Sequence, residues 1–324
     1  MNKYFMNDET NNNEINNVNG GNSMMIKDLN EFATVIKDYV EERLGDGYKA
    51  NINVTLKNNG QKLTGVVISN QTRQVVPNIY LNSFYEDYQN GVAIDDIANK
   101  IIDIHMSAHK EFDFAPNDIH LFDKVKSRIC LKLINKDANQ ERLNQVPYKE
   151  FHDLAIIFFI LVENYNDEIG TVLINNELYS SWNVSISELY NIALENTESH
   201  FKGIIQPMSS VIAQLISGFE YDDSELPNID AFMYVVSNTT KINGATAMLY
   251  TGLLERFANH INSDFYILPS SIHEVILIPI TDEINPEELK EMVSTINDTE
   301  VPIEDKLADS VYIFKRETGS VEIV

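Results

Sequence analysis

The chain has 324 residues, 44% hydrophobic and 23% charged, which suits a globular protein able to bury one large core or two modest ones. It carries 24 Lys and Arg against 49 Asp and Glu, a net charge of −25. Charge of that sign disfavours direct contact with nucleic acid or an anionic membrane, since both need cations to neutralise phosphate.

Cys130 is the only cysteine, so within one chain there is no disulfide and no metal site built on several thiolates. It lies in the apolar string 128–133, which reads as a strand, and this predicts a structural thiol. The longest apolar run, 154–162, has the length of a buried strand rather than of a membrane span. The N-terminus shows no basic region followed by an apolar one, so the cytoplasm is the expected location.

Residues 1–24 are Asn-rich and carry few apolar side chains, which predicts a disordered tail, with Met24 or Met25 as an alternative start. Helical spacing then runs over 26–44 and stops at Gly45 and Gly47. A hairpin follows, turning at Asn58-Asn59-Gly60, and Gly65 in its return strand predicts a bulge or a close approach of backbone. The spacing predicts a helix from 77, with Tyr80, Leu81, Phe84, Tyr85 and Tyr88 as a core-packing stripe. A second helix is expected over 94–111, with Ile94, Ile97, Ile101, Ile104 and Ala108 inward. A short amphipathic piece spans 118–125.

Beyond 126 strands alternate with helices. Strands are expected at 127–134, 153–162, 170–174, 231–237, 265–268, 275–278, 310–314 and 320–324. Helices are expected near 176–182, at 186–201 behind a capping box at Ser185 and Glu188, at 207–217, at 244–261, and after Asn285-Pro286. Residues 135–149 read as a polar loop with a short helical turn. The class is α+β (mixed α/β). It combines a helical lobe over 25–125 carrying the hairpin with a strand-rich lobe over 126–324, built on a mixed sheet with flanking helices.

Several strings carry a resemblance: Leu56-Lys57-Asn58-Asn59-Gly60 with Leu63-Thr64-Gly65, Ile79-Tyr80-Leu81-Asn82-Ser83-Phe84-Tyr85, Asp153-Leu154-Ala155-Ile156, Gly244-Ala245-Thr246-Ala247-Met248-Leu249-Tyr250, and Leu268-Pro269-Ser270-Ser271-Ile272-His273-Glu274. Together they resemble a bacterial family of unknown function found in gut bacteria, over about 26–318. The C-terminal lobe is also similar to a second uncharacterised bacterial family, through Ala193-Leu194-Glu195-Asn196 and the late strand ending in Pro-Ser. Neither resemblance implies a catalytic residue, and fold alone does not supply one.

Five constellations bear on chemistry. His105 and His109 stand four apart on one helix face, as zinc-binding pairs do, but Met106 occupies the place where a metalloprotease carries Glu. The expectation is therefore two solvated histidines near a helix C-terminus. Ser270, Ser271, His273 and Glu274 hold the residue types of a hydrolase triad. Neighbours in sequence diverge in space, the Gly-x-Ser-x-Gly elbow is absent, and Ser271-x-x-Glu274 also fits a capping box. The acidic loop Asp222-Asp223-Ser224-Glu225 lacks the spacing of an EF-hand. His152-Asp153 stands at the entering end of its strand, whereas ligands of open sheets collect beyond the carboxyl ends. Gly45-Asp46-Gly47-Tyr48-Lys49-Ala50 follows a helix where a dinucleotide fingerprint follows a strand, so no cofactor is expected.

Two functional classes remain. The favoured one is a non-enzymatic binding or regulatory module with a protein partner. The alternative is a hydrolase using Ser270 or Ser271 with His273. A more remote reading is an acidic mimic of nucleic acid. The corner 269–274, between two apolar strands, is the expected binding surface.

Overall fold

The computed structural model describes residues 26–70, 76–107, 116–165, 168–218, 227–229 and 231–324. The Asn-rich tail, Ala108, His109 and the acidic loop 222–225 lie outside these residues.

Helix α1 (Leu29–Leu44) starts where Asp28 accepts hydrogen bonds from the amides of Asn30 and Glu31, which satisfies two of the donors that a helix leaves orphaned. Its buried residues Phe32, Ala33, Ile36 and Val40 follow the predicted spacing. Strands β1 (Tyr48–Leu56) and β2 (Lys62–Asn70) form the expected hairpin, in register from Tyr48↔Asn70 to Leu56↔Lys62. Asn59 (φ 53°) and Gly60 (φ 73°) take the positive angles that the Asn-Gly pair predicts.

The next helix begins later than expected. Residues Asn78–Tyr80 form strand β3, paired with β2 through Gly65↔Tyr80 and Val66↔Ile79, and only then does α2 (Asn82–Gln89) start. The ladder takes these residues because burying Ile79 and bonding the Leu81 amide to Thr64 completes the edge of β2. Gly65 is the close approach: a Cβ there would lie 2.1 Å from Oδ1 of Asn78. Tyr85 and Tyr88 pack on Phe32, with ring centroids 5.3 and 5.7 Å away.

On α3 (Ile94–Ser107) the inward face is Ile97, Ala98, Ile101 and His105. Ile104, expected inward, is 42% exposed, and His105, expected in solvent, is fully buried with its ring edge against Tyr48 at 6.0 Å. The periodicity explains this: 97, 101 and 105 stand one above another, while 104 lies a quarter-turn away.

After a 3-10 turn at Pro116–His120 comes α4 (Phe122–Val125), and the second sheet follows. It is built from β4 (Ile129–Asn135), β5 (Tyr148–Phe151), β6 (Leu154–Tyr165) and β7 (Glu168–Leu173), with α5 (Gln140–Leu143) in the connection after β4. Strand β6 is central. One edge pairs with β4, and the other pairs first with β5 and then with β7. Helices α6 (Asn176–Trp182) and α7 (Ile186–His200) follow, and Ser185 caps α7 as predicted by accepting from the Glu188 amide at 3.1 Å.

The third sheet has the order β13-β12-β10-β11-β9-β8. Its strands are β8 (Gly203–Pro207), β9 (Tyr234–Asn238), β10 (Phe265–Leu268), β11 (Val275–Pro279), β12 (Tyr312–Lys315) and β13 (Ser320–Ile323). Strand β8, which precedes α8 (Met208–Ser217), was not legible in the sequence. The helix expected over 244–261 is two pieces, a 3-10 segment Gly244–Leu249 and α9 (Leu253–Ile261), divided at Gly252 with φ 68°.

All pairings among the described strands are antiparallel, where a mixed sheet was predicted. The crossovers account for this. The segment carrying α9 joins β9 to the parallel-running β10, with β11 inserted between them. The segment carrying α10 (Pro286–Thr299) joins β11 to β12, with β10 between.

Two large apolar clusters result. One joins α1, β1 to β3, α2 and α3 around Phe32, Ile68, Leu81 and Ile101. The other is built from both later sheets together with α7 and α9, around Phe158, Leu189, Tyr234, Phe257, Phe265 and Tyr312. Helix α10 covers the opposite face of the third sheet through Leu289 and Val293.

Candidate functional site

The corner 269–274 is tightly tied down. The carbonyls of Pro269 and Ser270 accept from the amides of Ala308 and Leu307, and the Ile272 amide donates to Asp305 O at 2.8 Å. Ser271 is buried, and its Oγ accepts from the His273 amide at 3.0 Å. This is a hydroxyl-capped turn between strands rather than the expected capping box on a helical turn. Behind it, Gly244 leaves no room for a side chain: a Cβ there would sit 2.3 Å from the carbonyl oxygen of His273.

The ring of His273 is also occupied. Nδ1 accepts from the Asn243 amide at 3.4 Å, which places the proton on Nε2, and Nε2 meets Asp305 Oδ1 at 3.2 Å. A carboxylate thus orients the histidine, but no hydrogen bond joins its ring to Ser270 or Ser271 among the described residues. Glu274 takes no part in the arrangement. His105 of the other pair is buried, and the described residues contain no cluster of His, Cys, Asp or Glu able to hold a metal.

Beside this corner, through Ile272 and Asp305, opens a cavity of about 600 Å³. Its roof is the hairpin: Thr55, Leu56, Lys57, Asn58, Gln61 and Leu63. Its floor is the second sheet, with Lys132 on β4, Phe159 on β6, and Thr171 and Leu173 on β7. Strand alternation explains the floor. Ile129, Leu131 and Leu133 enter the main core, so Cys130, Lys132 and Ile134 point the other way, beside the cross-strand partners Phe159, Ile157 and Ala155. Cys130 is buried there, and burial pushes its thiol up to about 12, away from the thiolate form that a nucleophile needs.

The hairpin is held over this floor by side-chain amides. Asn58 Nδ2 donates to Glu304 O at 2.8 Å, and Asn59 Nδ2 donates to the carbonyls of Ile303 and Lys306, each at 2.7 Å. Asn59 also exchanges two hydrogen bonds with Asn139, of 2.9 and 2.8 Å. Arg142 on α5 donates from Nη2 to Leu56 O at 2.6 Å.

Three cations converge on the cavity: Lys57, Lys132 and Arg142. Lys57 lies over the ring of Tyr80, 4.2 Å from its centroid. Arg142 is 9% exposed, and burial lowers its pKa. Its Nε has no hydrogen-bond partner among the described residues. Lys132 is the most perturbed of the three. Burial, then the charges of Arg142 and Lys57, pull its pKa down to about 8. Its side chain is half-buried because it lines the cavity, while protein packs around it on the other sides. No hydrogen bond or ion pair holds its ammonium among the described residues. Two carboxylates stand at the rim, but Asp305 is engaged by His273 and Glu304 is exposed. Three cations against two rim carboxylates leave a net positive charge at one place in an acidic molecule. Such a place attracts a carboxylate or phosphate.

None of these three residues stands out in the sequence as a site. Lys132 did leave a signal, as the one charged residue inside the apolar run Ile129–Ile134. Arg142 left none, because its partner Leu56 is 86 residues away.

The chain belongs to a family of unknown function (DUF5688), whose profile matches residues 29–316. No curated protein and no solved structure matches it.

Proposed function

We propose that this chain is a non-enzymatic binding module whose ligand is a small anion held in the cavity between the hairpin and the second sheet. The observation that carries this reading is Lys132, an ammonium group facing a cavity of about 600 Å³ beside two further cations and without an anionic partner among the described residues. Leaving a charge so placed is costly unless something pairs with it. The apolar walls, Leu56, Leu63, Phe159, Leu173 and Ile272, suit the uncharged part of a small organic anion.

The same reading takes the chain as a cytoplasmic protein of two lobes, 25–125 and 126–324, with the cavity at their junction. A protein partner belongs to it as well, supported by the exposed Ile212, Leu215 and Ile216 of α8. The hydrolase reading draws on the oriented His273, but among the described residues no hydroxyl is hydrogen-bonded to its ring.

The test is a thermal-shift titration of the full chain with citrate and with inorganic phosphate. Saturable stabilisation, lost in Arg142→Ala, supports the reading. Equal stabilisation of wild type and variant by both anions would show only a general salt effect.

A further inference from the structure

We propose that Lys132 is a carbonyl-reactive amine, which holds a 2-oxo acid in this cavity as a reversible imine. This rests on the anion-binding reading above and adds a covalent step to it.

Three features of the cavity lead there. First, Lys132 lines the open cavity and no hydrogen bond or ion pair engages its amine among the described residues, so an electrophile entering the cavity meets it. Most structural lysines in such surroundings are held by a carboxylate, and here the rim carboxylate Asp305 is turned to His273. Second, its neighbours on the sheet face are apolar, Cys130, Ile134, Ile157 and Phe159, and two other cations line the same cavity. Desolvation beside like charge is the arrangement that makes a lysine nucleophilic at neutral pH, because it favours the neutral amine. The amine titrates near 8 instead of 10.5, so on the order of a hundredfold more of it is neutral at pH 7. Third, the same cations that disfavour the ammonium form attract a carboxylate. A compound with a carbonyl next to its carboxylate meets both demands within one small molecule.

The step balances without a further reactant. The neutral Nζ attacks the carbonyl carbon, a C–N bond forms as the C=O π bond breaks, and one N–H proton passes to the carbonyl oxygen through solvent to give a carbinolamine. Loss of water then leaves the imine, and hydrolysis reverses the sequence. Arg142 and Lys57 hold the carboxylate, and the apolar walls leave room for a short chain. Nothing is oxidised or reduced.

The experiment uses the full wild-type chain, pyruvate as probe and sodium cyanoborohydride to fix any imine, followed by peptide mass mapping. The expected result is one dominant adduct at Lys132, formed at least about tenfold faster than at any other lysine, with a rate that rises through an inflection near pH 8. Butanone, which has the carbonyl but no carboxylate, should label Lys132 at least about tenfold more slowly. Because the distribution of label is read in wild type, the outcome does not depend on a variant that folds. Label scattered over surface lysines, or equal labelling of Lys132 by butanone and pyruvate, overturns the proposal. If citrate still stabilises the chain saturably while Lys132 stays unlabelled, the imine is wrong and the anion-binding reading survives. If neither occurs, both fail.

Discussion

Arg142 and Leu56 stand 86 residues apart, yet the guanidinium Nη2 of one donates to the backbone carbonyl of the other at 2.6 Å. That bond fastens α5 to the end of β1, so the residue that supplies charge to the cavity also holds its roof in place. Arg142→Ala should lose both functions. The lost bond to a largely buried donor predicts a destabilisation of about 1–3 kcal/mol in urea melts. Arg142→Lys should recover part of the stability but less of the anion binding, because an ammonium cannot keep Leu56 and engage a carboxylate with a planar fork.

Lys132→Met should stabilise the empty protein at neutral pH. The sign follows from linkage. Folded Lys132 titrates near 8 and the ordinary value is 10.5, so between these the unfolded chain binds more protons. Wild-type stability contributed by this residue therefore rises as pH increases through that window. Below it the folded state carries a poorly solvated ammonium, at a cost of about 1–3 kcal/mol once solvent access through the cavity is allowed for. Urea melts at about pH 7 and about pH 10 should show the variant's advantage at the lower pH and its decline at the higher. An advantage that does not change with pH would indicate better packing by Met alone.

Asn59→Gly isolates the latch at the hairpin turn. Glycine keeps the positive φ that Asn59 adopts, 53°, so backbone strain is not added. The bonds of its side chain to Ile303, Lys306 and Asn139 are lost. A loss of about 1–3 kcal/mol is expected, with faster hydrogen exchange at 57–61 and at 303–306. Unchanged exchange at 303–306 would mean that the turn does not hold that segment.

Gly244→Ala should be among the most damaging single substitutions. The added carbon would meet Ser237 Oγ at 2.1 Å and His273 O at 2.3 Å, and backbone on one side cannot rotate away. The expected cost is about 2–3 kcal/mol or more, read as a lowered urea midpoint. A midpoint within error of wild type would show that the corner is pliable.

The residues that the sequence placed well are those whose partners are near in the chain or whose periodicity is strong. The hairpin at Asn58-Asn59-Gly60, the cap at Ser185 and the paired strands β10 and β11 depend on local angles or on β-branched runs. Elements whose identity is decided at a distance were misread. Ile79 is a strand residue because β2 needs an edge partner, and the segment 244–261 breaks because Gly252 takes a left-handed angle. His105 looked like a surface residue by type, and only the phase of α3 buries it.

The candidate site followed the same rule. The corner 269–274 was correctly placed between two strands, yet it contributes mainly Ile272 and the His273–Asp305 pair to the cavity. The charge comes from Lys57, Lys132 and Arg142, which lie on a turn, a strand and a one-turn helix. Nothing in their spacing brings them together. The docking of the hairpin on the second sheet does, through side-chain amides that read in sequence only as turn residues.

The most direct measurement is isothermal titration calorimetry of citrate into the full chain and into its Lys132→Met variant. Citrate has no carbonyl able to form an imine, so it reports on charge alone. One site per chain is expected in wild type, with affinity reduced at least about tenfold in the variant and weakened by added salt. Equal affinity in the two proteins, or no heat of binding in wild type, would contradict the anion-binding reading.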